Sequence, residues 1–145
     1  MDLLGKTNTV FLCDTFSGVV KASEKDNTYV GGEHADTSVD IVKNLAKTCG
    51  LNNITILQGI FPEDTGAAIA KKQIAFAHID VDVYQSAKDV VAFIWPRLLH
   101  GGIIVFDDYG TPGTQGMKKF LDEVKDLTDR IFISNVMGQG VLIKK

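Results

Sequence analysis

Two apolar runs in this chain each end in a pair of acids, and few folds have a place for that pattern. The first run is Ile74-Ala75-Phe76-Ala77, which leads into His78-Ile79-Asp80-Val81-Asp82-Val83-Tyr84. The second is Gly102-Ile103-Ile104-Val105-Phe106, which leads into Asp107-Asp108-Tyr109-Gly110. Short continuous apolar runs read as buried strands. Carboxylates are costly inside a protein unless they are paired, hydrogen-bonded or bound to a metal. The acids therefore belong at the carboxyl ends of two strands, and in an open α/β sheet ligands bind in the crevice outside those ends. If the first strand persists through Asp82, the i, i+2 spacing of Asp80 and Asp82 turns both to one side.

The rest of the chain supplies the alternation such a sheet needs. Thr9 to Cys13 is an apolar run ending at Asp14, followed by the turn-rich Thr15-Phe16-Ser17-Gly18. Residues 19–34 are polar and without hydrophobic period, which reads as a mobile surface loop with Glu33 and His34 solvated. A helix capped by Asp36 or Thr37 carries Val39, Val42, Leu45 and Ala46 on one stripe and ends before Gly50. Ile54 to Leu57 is a strand, left through Gln58-Gly59-Ile60-Phe61-Pro62, with a short helix over 63–72. Tyr84 to Leu99 reads as one long helix, disturbed at Trp95-Pro96, and His100-Gly101-Gly102 separates it from the next strand. Met117 to Leu127 is amphipathic. Ile131 to Val136 and Val141 to Ile143 flank a Gly-rich turn and read as an antiparallel hairpin. The order β-α-β-α-β-α-β-α-β-β predicts an α/β fold with a mostly parallel sheet and helices on both faces.

At 145 residues the chain is long enough for one domain with its own core. A net charge of −3 gives nucleic acid no electrostatic footprint, and no apolar run approaches a membrane span. Met1 to Lys6 carries no leader pattern, and Cys13 and Cys49 lack metal or redox spacing. Both cysteines read as buried thiols, and the setting as cytoplasmic.

With the two acidic strands as neighbours, Asp80, Asp82, Asp107 and Asp108 converge. So many carboxylates cannot all stay ionised without a counter-charge. A hard divalent cation resolves the conflict, and an all-oxygen set favours Mg²⁺, Ca²⁺ or Mn²⁺ over zinc. The bland alternative is capping, with Asp82 before the helix at Tyr84 and Asp108 in a turn. His78 reads as a satisfied core histidine. Asp14 has two open readings: a partner for ribose hydroxyls, as the acid is in dinucleotide folds, or a turn cap.

Taken together, the stretch from His78 to Ser86, Trp95-Pro96-Arg97-Leu98 with Gly101-Gly102, and Asp107-Asp108-Tyr109-Gly110 resembles the macrocin-type (TylF-like) O-methyltransferase family. Asp14-Thr15-Phe16-Ser17-Gly18 is similar to that family's second-strand motif, and Gly59-Ile60-Phe61-Pro62 to the segment after its third. The resemblance implies a Rossmann-like methyltransferase sheet closed by an antiparallel hairpin. It implies transfer of a methyl group from S-adenosylmethionine to a hydroxyl of a sugar or similar small molecule, with Mg²⁺. It further implies Asp80, Asp107 and Asp108 as metal ligands, Asp82 as general base, and Asp14 and Gly59 at the cofactor.

The family's first strand and Gly-containing loop have no counterpart here: only a few residues precede Val10. In the family that strand lies mid-sheet, so its absence exposes two rows of backbone donors and acceptors. Either the first strand here shifts beside the strand at 74–79, or a second copy of the chain covers the gap, which implies a homo-oligomer. A non-enzymatic relic or assembly module is one alternative. A Mg²⁺-dependent phosphatase of the haloacid dehalogenase type is another, but the interval between the acidic motifs is short for its intervening Ser/Thr and Lys motifs. Asp-x-Asp holding a sugar nucleotide, as in glycosyltransferases, is a third.

Overall fold

The computed structural model describes residues 8–145. Six strands and three helices follow in the order β1 (Val10–Asp14), α1 (Val39–Thr48), β2 (Ile54–Gln58), β3 (Ile74–Ile79), α2 (Tyr84–Ile94), β4 (Leu98–Phe106), α3 (Gln115–Val124), β5 (Arg130–Ser134) and β6 (Gly140–Lys144). β1 pairs with β2 in parallel, Val10 opposite Ile54. The other four strands form a second sheet in the order β3-β4-β6-β5. Within it β3 and β4 are parallel, while β6 runs antiparallel to both β4 and β5. The expected α/β architecture with its terminal hairpin is present. β1 does not shift beside β3; each keeps an edge without a strand partner among the described residues.

Register explains which side chains enter the core. Ala77, Ile104 and Leu142 lie in one row across β3, β4 and β6, with Phe132 of β5 opposite Leu142. This face packs against α2 and α3, where Ala87, Val91, Met117 and Leu121 join Ile104, Phe106 and Leu142 in one cluster. The next row, one residue away on each strand, faces the other side: Phe76, Ile103, Ile143 and Ile131. It is as apolar as the first, yet Phe76 remains 59% and Ile131 47% exposed. Helices on both faces were expected, but α2 and α3 cover only one. The helix that could have served elsewhere, α1, buries none of its residues.

Several element boundaries differ from the sequence expectation. α2 stops at Ile94; Trp95–Arg97 is a 3₁₀ turn, and β4 already begins at Leu98. Pro96 sits at the start of that turn, where its missing N–H costs nothing. Strand pairing then absorbs His100-Gly101-Gly102, because the register slips between Ile74 opposite Leu98 and Phe76 opposite Ile103. Gly101 takes the extra chain at φ +76°. The helix expected over 63–72 is a 3₁₀ turn at Gly66–Ile69. Ser38, rather than Asp36 or Thr37, caps α1 by accepting from Ile41 N–H. Both cysteines are free and exposed, not buried, since β1 and α1 lie outside the main core.

Candidate functional site

The carboxyl edge of β3 and β4 gathers the acids. β3 ends at Ile79, so Asp80 and Asp82 are not on a strand and the i, i+2 argument does not apply. A tight turn does the work instead. Val83 N–H donates to Val81 C=O at 2.6 Å, across Asp82 at φ +62°. A three-residue turn with positive φ at its centre is rare and strained for any residue but glycine. The turn places a carboxylate oxygen of Asp82 among those of Asp80 and Asp108, all within 4.8 Å of one another.

Asp108 is the buried member, 6% exposed. Its backbone carbonyl accepts from Thr114 Oγ1 at 2.7 Å, and Thr114 is itself buried. Its Oδ2 is buried without a hydrogen-bond partner. Burial, followed by the charges of Asp82 and Asp80, pushes the Asp108 carboxyl up to about 7. Burial also raises Asp82, aided by the charge of Asp80 and opposed by a hydrogen bond from Tyr29. A buried carboxyl with one orphaned oxygen, clustered with two further carboxylates, is the electrostatic situation a divalent cation relieves. The donor set therefore fits Mg²⁺ or Mn²⁺.

Asp107 stands apart from this trio. Its Oδ1 accepts from Gln139 Nε2 at 2.7 Å and lies 3.2 Å from His78 Nε2. The Gln139 bond, with His78 behind it, holds the Asp107 carboxyl below the usual range. His78 is thus an edge residue, with its side chain 45% exposed, not the core histidine expected. Gln139 comes from the β5–β6 turn, which also docks on the end of β4 through Gly110 N–H to Gly138 C=O.

Asp14 and Gly59 meet at the carboxyl ends of β1 and β2, where Gly59 N–H donates to Asp14 C=O at 3.0 Å. Asp14 Oδ1 accepts from Phe16 N–H, so the turn-capping reading is realised, on one oxygen. Gly59 has φ +141°, and a Cβ there would lie 3.0 Å from Asp64 Cβ.

The loop at 19–34 is held in place, contrary to expectation. Asp26 is 6% exposed, and its Oδ1 accepts from Tyr84 N–H at 2.8 Å, capping α2 from outside its own sequence. Ser86 Oγ donates to Val20 C=O, and Glu33 accepts from Val30 and Gly31 N–H. Tyr29 O–H donates to Asp82 Oδ1 at 2.9 Å. Sequence reasoning missed Asp26, Tyr29 and Gln139. Only Tyr29, an aromatic in a polar stretch beside Gly31-Gly32, gave any sign.

A family model described as macrocin-O-methyltransferase (TylF) matches residues 3–144. The chain belongs to the macrocin-O-methyltransferase family. Mycinamicin III 3''-O-methyltransferase of Micromonospora griseorubida is 28% identical over 141 residues, which cover 90% of this chain and 53% of that protein. Among solved structures, the O-methyltransferase NovP superposes with a TM-score of 0.75 at 21% identity, over 94% of this chain and 60% of its own. An O-methyltransferase from Bacillus cereus in complex with SAH gives 0.60 at 18% identity, over 94% and 63%. The chain thus spans between half and two thirds of the length of these macrocin-type and related methyltransferases, and the structural likeness shows a shared methyltransferase fold. No described helix is long and apolar enough to cross a membrane.

Proposed function

We propose that this chain carries the acceptor-binding and metal-binding part of a Mg²⁺- and S-adenosylmethionine-dependent O-methyltransferase whose acceptor is a hydroxyl of a sugar or similar small molecule. The observation that carries the proposal is the trio Asp80, Asp82 and Asp108 with its orphaned buried oxygen. Asp80 and Asp108 would hold the cation, and Asp107 adds a carboxylate at the same edge. A cation bound there supplies Lewis acidity that makes an acceptor hydroxyl easier to deprotonate. Asp82, half-buried and with a raised pKa, takes that proton as a general base. Asp14 and Gly59, joined at the neighbouring strand ends, would face the ribose side of the cofactor. The Asp80→Asn variant is expected to bind Mg²⁺ at least about tenfold more weakly than the parent by calorimetry. An unchanged affinity would count against the site.

Among the described residues β1 and β3 each keep an edge without a strand partner, and this bears on the cofactor side of the proposal. S-adenosylmethionine is expected to bind this chain alone weakly or not at all, because among the described residues β1 and β3, whose carboxyl ends carry Asp14 and the acids, do not pair through a common strand. Micromolar affinity in a calorimetric titration would overturn that expectation. A second copy of the chain is proposed to cover the edges that β1 and β3 leave without a strand partner among the described residues. Sedimentation showing only monomer at high micromolar concentration would remove the homo-oligomer.

A further inference from the structure

We propose that Tyr29 is the positioning residue of the acidic cluster, and that residues 19–34 form a strap whose fixed points deliver its hydroxyl to Asp82. The inference rests on the reading that this cluster is the working site, and it concerns what holds Asp82 in shape. A carboxylate at φ +62° inside a three-residue turn does not stay there on its own account. Something outside the turn must over-determine it. The turn's own bond, Val83 N–H to Val81 C=O, is one restraint. The other that reaches Asp82 itself is Tyr29, whose O–H donates to Oδ1 at 2.9 Å.

Tyr29 is suited to the task. Burial, together with the neighbouring Asp82, pushes its hydroxyl up to about 12, so it keeps its proton and remains a donor at any physiological pH. His34 Nε2 lies 3.5 Å from the same oxygen, at the far end of the strap. The strap cannot easily slide, because it is fastened on both sides of Tyr29. Val20 C=O is held by Ser86 Oγ of α2. Asp26 is buried against the first turn of α2, where Tyr84 N–H, Ser23 N–H and Ser23 Oγ all donate to its carboxylate. Lys25 Nζ stacks over the Tyr84 ring at 3.5 Å. Beyond Tyr29, Glu33 C=O accepts from Val19 N–H, and Gly32 N–H donates to Val19 C=O. Two ends of the strap thus close on each other, with Tyr29 at the part that reaches over the acids. By holding Oδ1 of Asp82, the hydroxyl fixes the carboxylate that shares the cluster with Asp80 and Asp108. Asp82 lies in one cluster with the proposed ligands Asp80 and Asp108, and removing a partner that orients a carboxylate around a cation typically weakens the site about 10–100-fold.

The test compares Tyr29→Phe with the parent in two measurements, with Asp82→Asn and Asp108→Asn as references. In the metal-free protein, backbone amide exchange followed by NMR is expected to speed up about tenfold at Val83 in Tyr29→Phe, the loss expected for one hydrogen bond. Tyr84, whose amide Asp26 holds, is expected to stay unchanged; a general loosening of the fold would move both. In calorimetry with Mn²⁺ alone, Tyr29→Phe is expected to bind about tenfold more weakly, and to have no further effect when Asp82 is already Asn. If Asp108→Asn weakens Mn²⁺ binding but Tyr29→Phe does not, the positioning role is overturned while the cation reading stands. If the parent binds no Mn²⁺, the cation reading fails. The exchange rate at Val83 then decides whether Tyr29 holds the turn, and an unchanged rate overturns the inference outright.

Discussion

Replacing Asp108 by Asn is expected to stabilise the metal-free protein at pH 8 by about 2–4 kcal/mol and to abolish its response to Mg²⁺. The sign follows from where the proton sits. In the fold the Asp108 carboxyl is raised from 3.8 to about 7, by burial first and by Asp82 and Asp80 next. Below pH ~4 both folded and unfolded chains hold this proton, and the charge costs nothing. Between ~4 and ~7 the unfolded chain releases it while the folded one keeps it, so stability from this group falls as the pH rises. Above ~7 the folded chain carries a buried anion with an orphaned oxygen, and the cost is complete. A gap of about three pH units corresponds to about 4 kcal/mol; part of it belongs to the field shared with Asp80 and Asp82, hence the range. Urea melts of parent and variant should therefore nearly coincide at pH 3, differ in part at pH 5 and separate fully at pH 8. Coincident curves at pH 8 would sink the account.

Mg²⁺ is expected to narrow or close this gap. A ligand that binds only the folded chain stabilises it by about 2.7 kcal/mol at a hundred times its Kd. The parent should gain this at pH 8 and the Asn variant should not. Because cation binding requires the ionised carboxylate, the parent's apparent affinity should fall about tenfold per pH unit below ~7. Stability given up in the empty state is the signature of a site kept for a ligand.

Much of this was legible because strands announce themselves. The runs at 74–79 and 102–106 carried their own ends, and the acids just past them marked the edge where ligands gather. Strand order β3-β4 then brought Asp80 and Asp108 together as the spacing suggested. What the sequence hid was non-local. Asp82 enters the cluster through a strained turn, and no propensity argument places an Asp at φ +62°. Asp107 looks like the twin of Asp108, yet Gln139, thirty-two residues on, claims it from another turn. Asp26 reads as one polar residue in a polar loop. Only the fold shows that the cap of α2 lies fifty-eight residues before it. Nor could periodicity say that α2 and α3 cover only one face of the sheet, since the row Phe76, Ile103, Ile143, Ile131 is as apolar as the buried one.

That distant cap makes Gly116→Ala a damaging single methyl group to add. Gly116 lies in the first turn of α3, and it is the third partner in the contact between the strap and α2. A Cβ there would sit 1.7 Å from Asp26 Oδ1 and 2.9 Å from Tyr84 N. Neither neighbour can yield cheaply. Asp26 is buried and receives three hydrogen bonds, and the Tyr84 nitrogen is backbone at the start of α2. Val83 offers α2 no side-chain cap, so expelling Asp26 leaves a buried helix N-terminus unsatisfied. Overpacking of this kind costs about 1–3 kcal/mol, and the lost charged hydrogen bond about 1.5–3 more. Together these approach the whole stability of an ordinary small domain. The damage should also spread in one direction. With Asp26 displaced, the strap loses its middle anchor and Tyr29 its aim at Asp82. Amide exchange at Tyr84 should then rise first, followed by Val83. Asp26→Ala should reproduce the exchange pattern without the clash, at a smaller loss in melting temperature. If Gly116→Ala instead melts within about a degree of the parent, α3 does not clamp the strap and the route from α3 to the acids is broken.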